Sequence, residues 1–205
     1  MIYFGAAYYP EHRDPERWDY DLEQMEKANV NCLRVAEFAW SRLEPEDGRY
    51  DFEWLETFIR KAETHGIQIL LCTPLRTLPA WLMAQDETLK LQREDGVCLE
   101  YGSRYSYCIN HPLLQQKARA LAEAMSKQWG NDANVAGWHL DNEHGSEPDC
   151  HCDLCREKFQ RWCQQRYETL EHLNESWGLA FWGLQFNDWS QIPTPRVTKA
   201  FHSPG

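Results

Sequence analysis

The chain alternates short apolar runs with longer segments in which apolar residues recur every three or four positions. The short runs are rich in Ile, Val, Leu and aromatic residues, and such continuous runs are typical of buried parallel strands. They predict four strands, at residues 2–8, 30–36, 67–72 and 135–140. The longer segments predict helices between and after the strands, so the predicted order is βαβαβαβα.

Capping residues mark several ends of the predicted helices. Asp14 and Pro15 are typical of an N-cap and a first helical position. Asp51 predicts the N-cap of the second helix, and Gly66 predicts its end. Pro112 predicts the start of the third helix. The spacing predicts helices at residues 15–28, 52–65, 112–129, 153–167 and 169–177.

Alternating strands and helices imply parallel strands with right-handed crossovers, which fit either a doubly wound sheet or a (β/α)₈ barrel. No glycine-rich phosphate loop follows the first strand, which disfavours the nucleotide-binding doubly wound sheet. Polar and aromatic residues follow every strand, at the edge where barrels build active sites. The segment 73–111 is too long for a plain connector and predicts a functional loop with short helices.

Composition and charge narrow the possible functions. The 205 residues carry 21 basic and 32 acidic side chains, a net charge of −11, which excludes binding to nucleic acid or anionic membranes. A hydrophobic fraction of 42% with ten Trp excludes intrinsic disorder. No apolar run reaches the roughly 20 residues of a membrane span. The N-terminus lacks signal-peptide features, so we expect a cytoplasmic protein. Core packing is the simplest interpretation of the ten Trp, and stacking of their rings on sugars is the alternative.

The fourth predicted strand ends in a carboxylic acid that is a candidate for catalysis. Asn142 and Glu143 follow the apolar run directly. A carboxyl group held there beside aromatic side chains can have a raised pKa and act as a general acid. The neighbouring amide can hold a sugar hydroxyl. The alternative from spacing alone is a salt bridge at the start of a loop.

Several sequence blocks resemble one family of retaining glycosidases. They are YYPE from residue 8, FAWSRLEP from residue 38, GRYDF from residue 48, PAWL from residue 79, GSR from residue 102, GWHLDNE from residue 137 and LNESWG from residue 173. In this order they are similar to the N-terminal part of glycoside hydrolase family 42 β-galactosidases. The resemblance implies an α/β fold of the (β/α)₈ TIM-barrel type. A whole barrel takes about 250 residues, so we expect residues 1–205 to hold the first four or so βα units, a truncated barrel.

The resemblance also implies roles for individual residues. Glu143 would be the general acid that protonates the leaving group and then the base that activates water. Asn142 would bind the hydroxyl at C2 of galactose, and Arg104 would hydrogen-bond the sugar. Trp40 and Trp182 would wall the site, although single tryptophans are more often core residues. A further candidate, Glu37, either supports the site or forms a structural ion pair.

A cysteine cluster follows the candidate acid. Cys150, Cys152 and Cys155 lie within six residues, a spacing that lets three thiolates bind one Zn²⁺. Spacing alone leaves the fourth ligand open between Cys108, His111, His144 and His151.

The resemblance implies that Cys108 is the fourth ligand, because some family members bind zinc through this cluster and an earlier cysteine. A Cys₄ site has no open position, so the zinc would be structural and would tie the loop after the third strand to the loop after the fourth. Reduced free thiols are the alternative.

Retention requires a second carboxylate, and in the resembled family it follows a late strand of the barrel. No residue here matches that nucleophile, so we expect an inactive isolated chain.

The expected substrate is a β-galactoside or oligosaccharide. Half a barrel exposes two sheet edges, so we expect it to associate with itself or with a complementing C-terminal half, or to aggregate. Related enzymes are often trimers. The alternatives are a non-catalytic, zinc-stabilised sugar-binding or scaffold protein, and a relative of the same clan that acts on β-glucosides or arabinosides.

Overall fold

The strands of the structure, a computed structural model that describes residues 2–145 and 149–196, form one parallel sheet. They are β1 Gly5–Ala7, β2 Cys32–Val35, β3 Gln68–Thr73 and β4 Val135–Leu140. Their order along the sheet is β1-β2-β3-β4, with every pairing parallel. All four predicted strands and their parallel arrangement are therefore confirmed, although β1 and β2 are shorter than predicted.

The helices lie between and after these strands. They are α1 Pro15–Lys27, α2 Trp40–Leu43, α3 Glu53–Thr64, α4 Ala80–Met83, α5 Pro112–Trp129, α6 Asp153–Tyr167 and α7 Leu170–Ser176. Short 3-10 turns occupy Pro10–His12, Glu87–Leu89, Phe181–Gly183 and Trp189–Gln191. The long segment after β3 contains α4 and one of these turns, as predicted, whereas the single-turn helix α2 was not predicted.

The helix caps agree with the sequence at two places and differ at a third. The Asp14 side chain accepts a hydrogen bond from the backbone of α1, and His111 caps α5 in the same way. The prediction that Asp51 caps α3 is wrong, because Phe52 occupies the N-cap position and gives no side-chain bond. The Asp51 amide instead donates to the carbonyl of Leu43, 2.8 Å away, which ties this residue to the end of α2.

The main core lies between the sheet and the helices that cover its outer face. Side chains alternate across a strand, and Ile69 and Leu71 of β3 are wholly buried among residues of α1, α3 and α5. The largest buried side chains of these helices are Trp18, Phe58 and Trp129. A second, smaller core packs α6 against α7 and the segment that follows.

The opposite face of the sheet is polar, as the inner face of a catalytic barrel is expected to be. Arg34 of β2 and Cys72 of β3 lie on this side, and the Cys72 sulfur is 3.3 Å from Nδ1 of His139 in β4. Within the described residues, β1 and β4 each pair on one side only, and Leu140 at the end of β4 is 71% exposed. Among the described helices, none combines the length and apolar character that a membrane span requires.

Asn134, directly before β4, is expected to be important for stability. Its buried side-chain amide donates to the carbonyls of Ile59 in α3 and Ile67, at 3.2 and 3.1 Å. Loss of a buried hydrogen-bond partner costs about 1–3 kcal/mol, so Asn134→Ala should lower the free energy of unfolding by that amount in urea denaturation. The exposed Asn187→Ala is the matched control and should change it by less than about 0.5 kcal/mol. Equal effects of the two variants would contradict the prediction.

Candidate active site and metal centre

The carboxyl ends of β3 and β4 bring the candidate site residues together. Thr73 and Leu140 are register partners at the ends of these parallel strands. The backbone amide of Asp141 then donates to the Thr73 hydroxyl at 2.9 Å. This bond holds the first residue of the loop that carries Glu143 against the strand that leads into the long 74–111 loop.

Glu143 lies where those two loops meet. Its Oε2 accepts hydrogen bonds from the Arg104 guanidinium and from the Tyr105 hydroxyl, each at 3.0 Å. About half of its side chain, 53%, remains exposed. The Tyr105 hydrogen bond, followed by the charge of Arg104, lowers the pKa of Glu143 below its ordinary value. The expectation of a raised pKa is therefore wrong for this state, because donors to the carboxylate outweigh its slight desolvation.

Asn142 is buried beside Glu143 and belongs to a polar network on the inner face of the sheet. Arg34 of β2 donates to the Asn142 side-chain oxygen at 3.4 Å and to Glu37 at 2.7 Å. The Tyr9 hydroxyl also donates to Glu37, at 2.7 Å. Burial, followed by this hydrogen bond, raises the pKa of Tyr9. Glu37 thus forms the structural ion pair and, through Arg34, also supports the candidate sugar-binding amide.

A buried arginine, which sequence reasoning did not single out, lies beneath the Glu143 loop. Arg76 is 1% exposed, and its Nε is 3.1 Å from a carboxylate oxygen of Asp141. Its guanidinium carbon is 4.8 Å from the centroid of the Tyr105 ring. Nothing in the local spacing relates Arg76 to residues 29 and 65 positions further along, so the sequence offered no signal for this contact.

Several residues of this site have backbone conformations that side chains disfavour. Positive φ angles occur at Ala36, Tyr105, Asp141 and Glu143, at 64°, 62°, 57° and 48°. Such conformations persist only where surrounding contacts stabilise them, and they concentrate at functional sites. Their clustering at one edge of the sheet is typical of a functional site.

The aromatic residues near the site differ from the expectation. Trp40 is completely buried and donates its indole N–H to Glu44 at 2.8 Å, so its predicted place in the wall of the site is wrong. Trp182 is 62% exposed and packs against Phe181. Besides Tyr105, Phe38 lies near Glu143, and its ring centroid is 5.9 Å from the guanidinium carbon of Arg104.

The four predicted cysteine ligands converge. The sulfur atoms of Cys108, Cys150, Cys152 and Cys155 all lie within 4.8 Å of one another. Cys108 is 3.4 Å from Cys155 and 3.7 Å from Cys152. Tetrahedral zinc with Zn–S bonds of about 2.3 Å sets its sulfur ligands about 3.8 Å apart, so the residues present fit a Cys₄ metal site. Cys108 comes from the long loop after β3 and the other three from the segment before and within α6.

The three competing histidines have other contacts. His111 accepts a backbone hydrogen bond at the start of α5. Nε2 of His144 lies 3.0 Å from the carbonyl of Leu140 at the end of β4, and Nδ1 of His151 lies 2.8 Å from the hydroxyl of the buried Thr194. The geometry therefore favours Cys108 as the fourth member of the cluster.

The surroundings of the four cysteines act on their thiols in opposite directions. The Asn110 amide donates to the Cys155 sulfur at 3.3 Å, and Lys158 fixes Asn110 by donating to its carbonyl at 3.1 Å. The hydrogen bond between Cys108 and Cys150 lowers the pKa of Cys150 and raises that of Cys108, and burial raises the pKa of Cys155. Four adjacent sulfurs cannot all ionise unless a cation neutralises them, which is the condition that a metal ion would satisfy.

A cavity of about 700 Å³ connects the two parts of the site. Its lining includes Arg76 and Tyr105 on one side and Cys150 and Cys155 on the other. The cysteine cluster therefore lies within the walls of the same depression that the Glu143 loop borders.

Comparison with known proteins identifies the relatives of the chain. The profile of glycoside hydrolase family 42, described as β-galactosidase, matches residues 7–205. β-Galactosidase Bga of Halorubrum lacusprofundi is 39% identical over 202 residues, which are 98% of this chain and 29% of that protein. β-Galactosidase bgaB of Geobacillus kaustophilus is 38% identical over 205 residues, 99% of this chain and 30% of that protein.

The fold comparison agrees with the sequence comparison. The solved structure of the β-galactosidase from the Antarctic haloarchaeon Halorubrum lacusprofundi superposes with a TM-score of 0.93 at 38% identity, covering 99% of this chain and 31% of that one. The structural neighbours are TIM-barrel enzymes, and the four-stranded parallel sheet is part of such a barrel, as the sequence predicted. The chain spans about 30% of the length of these relatives. It belongs to the glycoside hydrolase family 42 β-galactosidases.

Proposed function

We propose that the protein hydrolyses terminal β-D-galactose residues of β-galactosides with retention of configuration, and that Glu143 is its acid/base catalyst. The observation that carries this proposal is the position of Glu143 at the carboxyl end of β4, where Arg104 and Tyr105 bind one carboxylate oxygen. Family membership supports the substrate class, because the relatives are named β-galactosidases.

Each side chain of the site has a defined task in this mechanism. As the bond between C1 and the leaving oxygen breaks, Glu143 gives its proton to that oxygen while a carboxylate attacks C1. Glu143 then takes a proton from the water that releases galactose. Asn142 is buried and held by Arg34, so its amide is fixed to bind the hydroxyl at C2. Arg104 hydrogen-bonds a further hydroxyl of the sugar.

The nucleophile of this proposal lies outside the 205 residues. The acids that follow the first two strands are engaged in other contacts or buried. Glu37 pairs with Arg34 and Tyr9, and Glu44 accepts the Trp40 indole and a backbone amide, at 2.8 Å each. Both carboxylate oxygens of Glu11 are buried, and burial raises its pKa. The chain covers about 30% of its relatives, and in this proposal a longer protein would supply the second carboxylate and the strands that pair with β1 and β4.

The cysteine cluster is proposed to bind one structural Zn²⁺. Cys108, Cys150, Cys152 and Cys155 would hold it and leave no position open, so the ion would supply no catalytic water. Its role would be to fasten the long loop after β3, which carries Arg104 and Tyr105, to the start of α6. This link would hold the donors of Glu143 in place.

Glu143→Gln tests the acid/base assignment in the full-length protein. The variant should lose about 10²- to 10⁴-fold in kcat/KM on alkyl β-galactosides, because their leaving groups need the proton. A dinitrophenyl β-galactoside should lose far less in the first chemical step, since its leaving group departs without protonation. Steady-state and burst kinetics on both substrates measure the difference.

Glu23→Gln is the matched control, because Glu23 is half-exposed on α1 and forms an ion pair with Lys27 of the same helix, far from the site. It should leave both rates unchanged. An equal loss on both substrates in Glu143→Gln would refute the acid/base role, and a wild-type protein without turnover would refute the proposed activity.

Zinc content tests the metal centre. We expect about one zinc per chain by elemental analysis, and chelation should lower the melting temperature because metal binding contributes directly to folding. Cys108→Ser should purify with much less zinc. Cys98→Ser is the control, because Cys98 is an exposed cysteine outside the cluster, and it should keep its zinc. A folded, metal-free wild-type preparation would contradict the proposal.

A further inference from the structure

Arg76 is the most deeply buried charged side chain near the candidate site. It follows β3 by three residues and is 1% exposed. Transfer of a guanidinium from water to the protein interior is unfavourable unless other groups compensate it. Its contacts with Asp141 and Tyr105 contribute to that compensation, together with a hydrogen bond to the Tyr107 side chain.

The contact with Asp141 acts on the loop that carries Glu143. Asp141 is buried, and burial raises its pKa while the positive charge of Arg76 opposes that rise. Asp141 has a positive φ of 57° and Glu143 one of 48°. An ion pair on Asp141 therefore holds the disfavoured backbone conformation from which Glu143 projects.

The contact with Tyr105 acts on the hydrogen-bond donor of Glu143. The Arg76 guanidinium lies 4.8 Å from the Tyr105 ring centroid, and the Tyr105 amide donates to the Arg76 carbonyl at 3.4 Å. The Tyr105 hydroxyl then donates to Glu143. Tyr105 also has a positive φ, of 62°, so its ring position depends on contacts of this kind.

The geometry of the two contacts requires an arginine. A planar guanidinium can stack on an aromatic ring through its face while an N–H at its edge binds a carboxylate, whereas a lysine ammonium provides only the charge. One side chain thus connects the two loops that meet at Glu143.

We propose that Arg76 is a positioning residue that fixes both Glu143 and its donor Tyr105 by joining Asp141 to the Tyr105 ring. The proposal rests on the proposed acid/base function of Glu143. Arg76 itself does not touch the substrate.

The test uses the full-length protein with Arg76→Met and Arg76→Lys. Misplacement of a catalytic group lowers the rate by about 10- to 100-fold, so both variants should lower kcat to that extent with KM within about twofold. The basic limb of the pH profile should move to higher pH in Arg76→Met. The reason is that Glu143 loses a nearby positive charge and a fixed donor, so its proton is retained to higher pH.

A second readout is independent of turnover. A water-soluble carbodiimide modifies protonated carboxyl groups, and peptide mass spectrometry follows the pH dependence of its reaction at Glu143. The midpoint should rise in Arg76→Met and rise less in Arg76→Lys. The groups that act on Glu143 are Tyr105, Arg104 and Arg76 from the long loop. Asp141 and His144 are the neighbouring titratable groups of its own loop.

Arg60→Met is the matched control. Arg60 also pairs with an aspartate, Asp132, but at the opposite end of the sheet. It should lower stability without moving the midpoint or the pH profile.

An Arg76→Lys protein with wild-type kcat, KM and midpoint would overturn the proposal, and so would a folded Arg76→Met protein with an unshifted midpoint. If Arg76→Met does not fold, Arg76→Lys decides. A wild type without turnover would refute only the proposed activity, because the labelling midpoints would still report on Arg76.

Discussion

The parallel pairing of β3 with β4 is the constraint on which the candidate site depends. It places Thr73 and Leu140 side by side, and the Asp141 amide then binds the Thr73 hydroxyl at 2.9 Å. Two loops that are far apart in sequence therefore leave the sheet at the same point. Because of this single register, Arg104 and Tyr105 reach Glu143, and Cys108 meets the three cysteines near α6.

This arrangement places buried polar groups and disfavoured backbone angles at the same edge of the sheet, and both are energetically unfavourable. Arg34 with Glu37 and Arg76 with Asp141 are ion pairs at 2.7 and 3.1 Å with at least one deeply buried member. Such pairs contribute little net stability, because desolvation offsets their attraction. The effect of these ion pairs is to fix the positions of the side chains at the site. The apolar core on the other face of the sheet, around α1, α3 and α5, supplies the stability that offsets these buried polar groups and backbone angles.

Periodicity and caps predicted the strands and the longer helices because these features are local. Asp14, with Pro15 after it, and Pro112 could be interpreted from adjacent residues alone. The error at Asp51 has a tertiary origin, since its amide binds Leu43 of a one-turn helix that has too few residues to show a period. Glu143 and the four cysteines were found because a motif and a resemblance named them. Arg76 was not found from the sequence, because its role comes from contacts with Tyr105 and Asp141, which lie 29 and 65 residues further along the chain.

The lowered pKa of Glu143 is consistent with the proposed general acid, because the groups that set this pKa change when a sugar binds. In the structure its carboxylate is half-exposed, and Tyr105 and Arg104 stabilise the charged form. A sugar bound over Glu143 displaces water from the exposed half, and desolvation raises the pKa of a carboxylic acid. If Arg104 also turns to the sugar, one stabilising charge is withdrawn at the same step. Substrate binding would thus shift Glu143 towards the protonated form that the first step needs, and the donor that stays, Tyr105, would stabilise the carboxylate left after the proton has been given.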